Sequence, residues 1–381
     1  MAVIVDGKHR IPFLRGMLTH FLLEQGLGFQ DAYAVADKIR SDIQKRKTIP
    51  AEKMVELVHL HVSEIDGDQT IGDGFFWRPR TQNVVVEDTD GFRPFSRERL
   101  SQSIALAGVA EEEAYALAEG LLRQFRSEHR DAVSRSDIQK AVSASLKAEY
   151  GKDYADRYRI WHRFRLRGTQ PLIILIGGSS GAGKSSVSVA VANRLKISRV
   201  ASTDDIRQVM RLMIAPNLMP GLHVSSYQAW ECVTAAQDEA DPVVAGFREQ
   251  ALRVCVGVRG AIERAIQENV SLIIDGVHLI PDLLQLGPLE EKAIFIHANL
   301  FLSDEAEFRE RYRARGEEAE GRPSHRYLKH LDQILAIQSH ILQQGETLRI
   351  PAYDNNDFDE TVHSVCLQIM DHLREHWSAK E

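Results

Sequence analysis

From Leu172 onward the apolar positions change period repeatedly. Leu172 to Ile176 is an unbroken apolar run, as expected of a strand buried on both faces. Ser186 to Leu195 then reads as helix and Ser198 to Thr203 as a second strand. Ser271 to Ile274 reads as a third strand, Ala293 to Leu302 contains a fourth, and Thr347 to Ile350 reads as a fifth. Helical stretches lie between them, among them Phe247 to Gln267 and Glu305 to Arg313. Strands alternating with helices predict an α/β domain, its mostly parallel sheet carrying helices on both faces.

The first half of the chain has a different rhythm and repeats itself. When Pro12–Ala36 is set against Pro94–Ala118 without gaps, nine of 25 positions match, among them Pro12/Pro94, Phe13/Phe95, Gly26/Gly108 and Tyr33/Tyr115. Chance at average residue usage gives about one or two. Each copy opens with a short strand-like piece and Asp-Gly: Val3-Ile4-Val5-Asp6-Gly7, then Val84 to Asp90-Gly91. Helical periodicity follows, in the second copy near 96–107, 111–129 and 134–149. A further helix near 153–166 carries Tyr154, Tyr158, Trp161 and Phe164, an aromatic stripe that predicts core packing. Gly67 to Asn83 and Arg167 to Pro171 read as connectors, and the second is expected to carry few contacts across it.

Composition removes several classes. A formal net charge of -7 without any Lys/Arg block argues against a nucleic-acid partner. Cys232, Cys255 and Cys366 have the spacing of neither a disulfide framework nor a zinc site, which points to a reducing, cytoplasmic setting. Met1 to Pro12 lacks the apolar core of a signal peptide, and no apolar run reaches the roughly 20 residues that span a bilayer, so no membrane partner is expected.

The chemistry concentrates after the first strand of the second half. Gly178-Ser179-Ser180-Gly181-Ala182-Gly183-Lys184-Ser185 fits G-x-x-x-x-G-K-[ST] at every fixed position, with a strand before it and a helix, opening at Ser186, behind it. Glycines let backbone N–H groups curl around phosphates, and the helix N-terminus adds its positive end. Gly178 to Ser186 are therefore assigned to ATP, Lys184 to the outer phosphates as a catalytic charge, and Ser185 to Mg2+. The second strand ends at Ser202-Thr203-Asp204-Asp205-Ile206-Arg207. A carboxylate beyond a strand's carboxyl end, beside the P-loop, can take the proton of an acceptor hydroxyl; Asp204 is the candidate, and the plainer role of Asp204 or Asp205 is a helix cap. Asp275, ending the third strand, would orient Mg2+ through its water shell. Arg207 and Arg211, four apart on one helix face, could clamp an anionic acceptor. His223, Ser225, Ser226 and Tyr227, with Trp230, form a polar-aromatic loop suited to its pocket wall. Arg309, Arg311, Arg313 and Arg315, then Arg322 and Arg326, suit a lid that supplies arginine to the transferring phosphoryl, with Arg315 the catalytic candidate; the plainer role is a solvated face paired with Glu307 and Glu310.

The stretches Ile174 to Ser185, Ser202 to Arg211, Leu222-His223-Val224-Ser225-Ser226-Tyr227-Gln228-Ala229-Trp230 and Asp275-Gly276-Val277-His278-Leu279-Ile280-Pro281 together resemble the 2-phosphoglycerate kinase family, over residues 172 to about 355. The resemblance implies phosphoryl transfer from ATP to 2-phosphoglycerate, giving 2,3-bisphosphoglycerate. Asp275 stands where the family pattern has Glu, which keeps the charge and shortens the reach. The N-terminal repeats resemble ATP-cone domains, small helical modules that bind nucleotides and regulate the enzyme behind them. The second copy is the better match, through Asp90-Gly91, Phe95, Leu100, Ile104 and Ser134 to Val142. Acidic Val86-Glu87-Asp88-Thr89 replaces the usual basic residues before its Asp-Gly, so a structural or oligomerising role stands beside nucleotide binding.

The expected organisation is then an ATP-cone-like repeat at 1–77, a second at 84–166, and a P-loop NTPase domain at 171–381. The expected activity is an ATP- and Mg2+-dependent kinase acting on a small anionic acceptor, with homo-oligomers formed through the repeats. A kinase of another phosphorylated polyol, such as an inositol phosphate, and a nucleotide-sensing regulatory ATPase are the alternatives.

Overall fold

The computed structural model describes residues 2–7, 9–25, 27–44, 46–65, 76–77, 84–88, 91–128, 132–233, 241–318 and 324–378. The chain divides into two compact units, Met1–Phe95 with Leu122–Arg135, and Ser96–Leu121 with Ser136–Glu381.

In the first unit, β1 (Val3–Asp6) and β2 (His9–Pro12) form a hairpin. Helices α1 (Arg15–Glu24) and α2 (Phe29–Ile43) carry the chain to β3 (Thr48–Pro50), which pairs parallel with β1, and α3 (Ala51–Ser63) follows. The same pairing recurs in β4 (Val85–Asp88), β5 (Gly91–Pro94) and β6 (Ala132–Ser134). Val3 opposes Pro12 and Thr48, and Val85 opposes Pro94 and Ala132, so the repeat in the sequence is a repeat of register. Ile4, Leu18, Ile39 and Met54 are fully buried in the core of the first copy. Strands β2, β3, β5 and β6 escaped the sequence reading because three or four residues, several of them proline-ended, cannot display a period of two. Asp90 and most of the 67–83 connector lie outside the described residues.

The second unit contains α4 (Arg97–Ala105), the first part of α5 (Glu111–Ser127), nearly all of α6 (Arg135–Glu149), and α7 (Lys152–Arg167). Then come β7 (Leu172–Gly178), α8 (Lys184–Leu195), β8 (Arg199–Ser202), α9 (Thr203–Met213), α10 (Pro242–Gln267) and β9 (Leu272–Gly276). The chain ends through α11 (Pro281–Leu284), β10 (Ile294–Phe301), α12 (Glu305–Glu318), α13 (Ser324–Lys329), α14 (Leu331–Thr347), β11 (Ala352–Asp354) and α15 (Phe358–Ser378). The sheet order is β11-β10-β7-β9-β8, with every pair parallel. β7 is central, and its unbroken apolar run follows from coverage on both faces. Leu172, Ile174 and Ile176 pack with Val187 and Val191 of α8 and Val365 and Ile369 of α15. Ile173 and Leu175 pack with Val254, Val258 and Ile262 of α10. β8 and β9 lie on one side of β7 and β10 and β11 on the other, so a crevice opens at its carboxyl end.

Two expectations are corrected. Thr347 to Ile350 is not a strand. Thr347 ends α14, Arg349 is left-handed at φ 56°, and Ile350 N–H returns to the Gly345 carbonyl at 2.8 Å. The fifth strand is the three-residue β11, too short to announce itself. The 167–171 connector also fails to isolate what precedes it. Trp161 of α7, 5% exposed, lies in the same buried cluster as Leu172 and Ile174. Arg157 of α7 makes two hydrogen bonds, 2.7 and 2.9 Å, to Asp371 of α15. Tyr158 and Trp161 are buried, as the aromatic stripe predicted.

Candidate active site

A cavity of about 980 Å³, within the range of small-molecule sites, opens at the carboxyl ends of β7, β8 and β9 and beside the residue that follows β11. The P-loop forms one wall. Gly183 is left-handed at φ 81°, and a Cβ there would stand 2.3 Å from Asn355 Nδ2, which itself donates to the Ala182 carbonyl at 2.8 Å. Only glycine fits this approach. α8 begins at Lys184, so its N-terminal N–H groups face the cavity. Lys184 Nζ donates to the Ser179 carbonyl at 2.7 Å. Ser179 is buried, and its hydroxyl donates to Gln338 Oε1 of α14 at 3.0 Å. Of the residues assigned to ATP, Ser180, Gly181, Gly183, Lys184, Ser185 and Ser186 line the cavity; Gly178, Ser179 and Ala182 form the layer behind.

Asp275 closes the floor. Its Oδ2 accepts the Ser185 hydroxyl at 2.7 Å, and burial raises its pKa, partly offset by that hydrogen bond and by Lys184. Two hard oxygen ligands therefore converge beside the phosphate loop, the donor set that suits Mg2+. Among the described residues no three His, Cys, Asp or Glu side chains group as a metal cage, so phosphate oxygens and water would complete the shell.

The opposite wall begins at α9. Its cap is Ser202, whose side chain accepts the Asp204 N–H at 3.1 Å. This corrects the plainer reading in which Asp204 or Asp205 caps the helix; both carboxylates sit in the first turn and line the cavity. Asp204 lies 3.6 Å from Arg207 Nε. Arg207 lines the cavity and is largely buried, which lowers its pKa. Its Nη1 is committed to the Leu222 and Val224 carbonyls, at 3.0 and 2.6 Å. Ser225, Ser226 and Tyr227 follow directly and line the cavity. Arg211 and His223 do not: Arg211 Nη1 donates to Gln208 at 3.1 Å, and His223 Nε2 donates to the Ile214 carbonyl at 2.9 Å. The expected Arg207/Arg211 clamp is thus reduced to Arg207, because one helix face does not turn both side chains into one cavity.

Among the lid arginines, Arg311 reaches the cavity, held by Glu307 at 2.7 Å and by the Asn355 carbonyl. Arg309 pairs with Glu305 on the exposed side. The side chains of Arg315, Arg322 and Arg326 lie outside the described residues. Sequence reasoning missed Tyr312, whose hydroxyl donates to the Ser180 carbonyl at 2.7 Å, and Tyr327, stacked on it at 4.8 Å. It also missed Asn355 and the half-exposed Phe358 beyond β11, which line the cavity. The signal for the last two was their place, just after the final strand of an open parallel sheet.

Residues 84–167 match the ATP cone domain family. The chain is 34% identical over 281 residues to the 2-phosphoglycerate kinase of Methanopyrus kandleri, covering 74% of this chain and 85% of that protein. It is 35% identical over 290 residues to the 2-phosphoglycerate kinase of Pyrococcus horikoshii, covering 75% and 93%. For that of Thermococcus kodakarensis the figures are 34% over 297 residues, 77% and 99%. Among solved structures, shikimate kinase from Acinetobacter baumannii in complex with shikimate superposes with a TM-score of 0.32 at 14% identity, over 58% of this chain and 98% of that one. No helix among the described residues is long and apolar enough to cross a membrane.

Proposed function

We propose, from the premise that this chain belongs to the 2-phosphoglycerate kinase family, that it transfers the γ-phosphoryl of ATP to the free hydroxyl of 2-phosphoglycerate, giving 2,3-bisphosphoglycerate. That it is an ATP-dependent kinase follows from the family. The acceptor is supported by one observation: Asp204, Arg207, Ser225 and Ser226 line the same cavity as the P-loop.

In this reading Lys184 and the N–H groups opening α8 hold the outer phosphates. Arg207 and the serine hydroxyls hold the acceptor's carboxylate and phosphate. Asp204 takes the hydroxyl proton as the acceptor oxygen bonds to phosphorus and the bond to ADP breaks. Ser185 and Asp275 would hold Mg2+, which when bound neutralises charge on the β- and γ-phosphates. Arg311 is placed to meet negative charge beside the P-loop. As domains we assign ATP-cone-like repeats to 1–77 and 84–166 and the kinase to 171–381, with the packing of α7 on α15 crossing the last boundary.

The test is acceptor-dependent ADP release with 2-phosphoglycerate, glycerate and an inositol phosphate side by side. Preference for 2-phosphoglycerate supports the assignment. Preference for glycerate or for the inositol phosphate overturns it.

A further inference from the structure

Beneath the acceptor wall lies a chain of buried polar groups that the chemistry above does not use. Gln250 is 2% exposed on α10, while Thr203 and His278 are fully buried. Gln250 Nε2 donates to two carbonyls, Gly221 at 2.5 Å and Val224 at 3.1 Å. Its Oε1 is 3.0 Å from His278 Nε2, and His278 Nδ1 is 2.8 Å from Thr203 Oγ1. The polarity of this chain is fixed by elimination. Carbonyls only accept, so the amide nitrogen of Gln250 faces them and its oxygen faces His278. His278 Nε2 therefore carries the proton, and Nδ1 accepts the Thr203 hydroxyl. Burial pushes the imidazole pKa down to about 4, which keeps that tautomer neutral.

The chain joins three segments: the start of α9, the turn after β9 and the loop between α9 and α10. Thr203 precedes Asp204; His278 lies three residues beyond Asp275; Gly221 and Val224 precede Ser225 and Ser226. Gly276 presses on Thr203 so closely that a Cβ there would fall 1.7 Å from Thr203 Oγ1. Arg207 shares the Val224 carbonyl with Gln250, so the acceptor loop hangs from two donors, one lining the cavity and one buried behind it.

We infer that Gln250 and His278 are positioning residues that set the 221–226 loop against the turns bearing Asp204 and Asp275, and so determine acceptor affinity without touching ATP. The inference rests on the reading of this wall as the acceptor site. It predicts that Gln250→Leu raises the acceptor KM by about tenfold or more, because the Gly221 carbonyl loses its donor and the Val224 carbonyl keeps only Arg207, while the ATP KM stays within about twofold. Thr203→Val should do the same in smaller measure, and Thr203→Ser, which keeps the hydroxyl, should restore the acceptor KM. Where a variant folds poorly, the wild-type protein decides. In the full chain labelled with 15N-histidine, the resonance lost in His278→Gln should report a neutral Nε2–H imidazole across about pH 5–8. An Nδ1–H tautomer, an imidazole that protonates above about pH 6, an ATP KM that moves with the acceptor KM, or a Thr203→Ser enzyme as impaired as Thr203→Val would each overturn the relay. If the wild-type enzyme fails to turn over 2-phosphoglycerate, the acceptor assignment is wrong, and the His278 tautomer alone judges the relay.

Discussion

Replacing Trp161 by alanine should destabilise the kinase sheet, although Trp161 lies within the segment that matches the ATP cone family. The indole is 5% exposed, shares a cluster with Leu172, Ile174, Val365 and Ile369, and stacks on Phe164 at 5.7 Å. Truncating a buried Trp costs about 3–5 kcal/mol through lost transfer energy and the cavity left behind. The stacked pair falls within that figure, at about 0.5–1.5 kcal/mol. With a urea m-value of about 2–3 kcal/mol/M, the midpoint should drop by about 1–2.5 M. The assay is urea unfolding of wild type and variant, followed by loss of bound fluorescent ATP analogue. The part of the signal that Lys184→Ala removes reports the P-loop, which lies in the same unit as Trp161. An unchanged midpoint for loss of the analogue would refute the reasoning and restore α7 to a separable regulatory module. The same packing predicts that a chain beginning near Gln170 is poorly folded, contrary to what the Arg167–Pro171 composition implied.

Other expectations bear on the cavity. Lys184→Ala should abolish phosphoryl transfer while leaving the far-UV circular dichroism and melting temperature unchanged. Asp204→Asn should slow the single-turnover chemical step by about 10²–10⁴-fold with little change in ATP affinity, since the amide cannot take the proton. Arg207→Ala should lower kcat/KM for the anionic acceptor by roughly 10–150-fold, the equivalent of one lost charge-assisted contact of about 1.5–3 kcal/mol, with the ATP KM little moved. Asp275→Asn should cost activity yet stabilise the ligand-free protein at neutral pH. Burial raises the Asp275 pKa in the folded state, so its ionised form opposes folding above that value. The stability gain of the variant should be largest above the raised folded pKa and fade as pH falls through it towards the ordinary carboxylate value, as read by chemical denaturation at a series of pH values.

The residues legible in the sequence were those whose chemistry is contiguous. Gly178 to Ser185 announces itself because one strand, one loop and one helix supply the whole phosphate cradle. Asp204 and Asp275 were found because each ends or follows an apolar run. Residues brought from afar were not: Tyr312, Asn355 and Phe358 meet the P-loop only after the sheet is built. Gln250 had a signal that went unused. It is a lone polar residue on the buried face of α10, beside Phe247, Ala251 and Val254, and an amide there must have partners. Arg211 was misplaced for a different reason. Helical spacing fixes which residues share a face, but neighbouring loops decide which of them see the cavity. The short strands of the repeats stayed hidden because three or four residues cannot display a period of two, although the repeat itself, through Pro12/Pro94 and its companions, was visible in the sequence.

The central claim is that the strand-end cavity moves phosphoryl from ATP to 2-phosphoglycerate. Phosphorus NMR of the protein with ATP, Mg2+ and 2-phosphoglycerate tests it most directly. The account predicts 2,3-bisphosphoglycerate appearing in step with ADP, and neither appearing with Lys184→Ala. ADP accumulating with inorganic phosphate while 2-phosphoglycerate stays unchanged would contradict it.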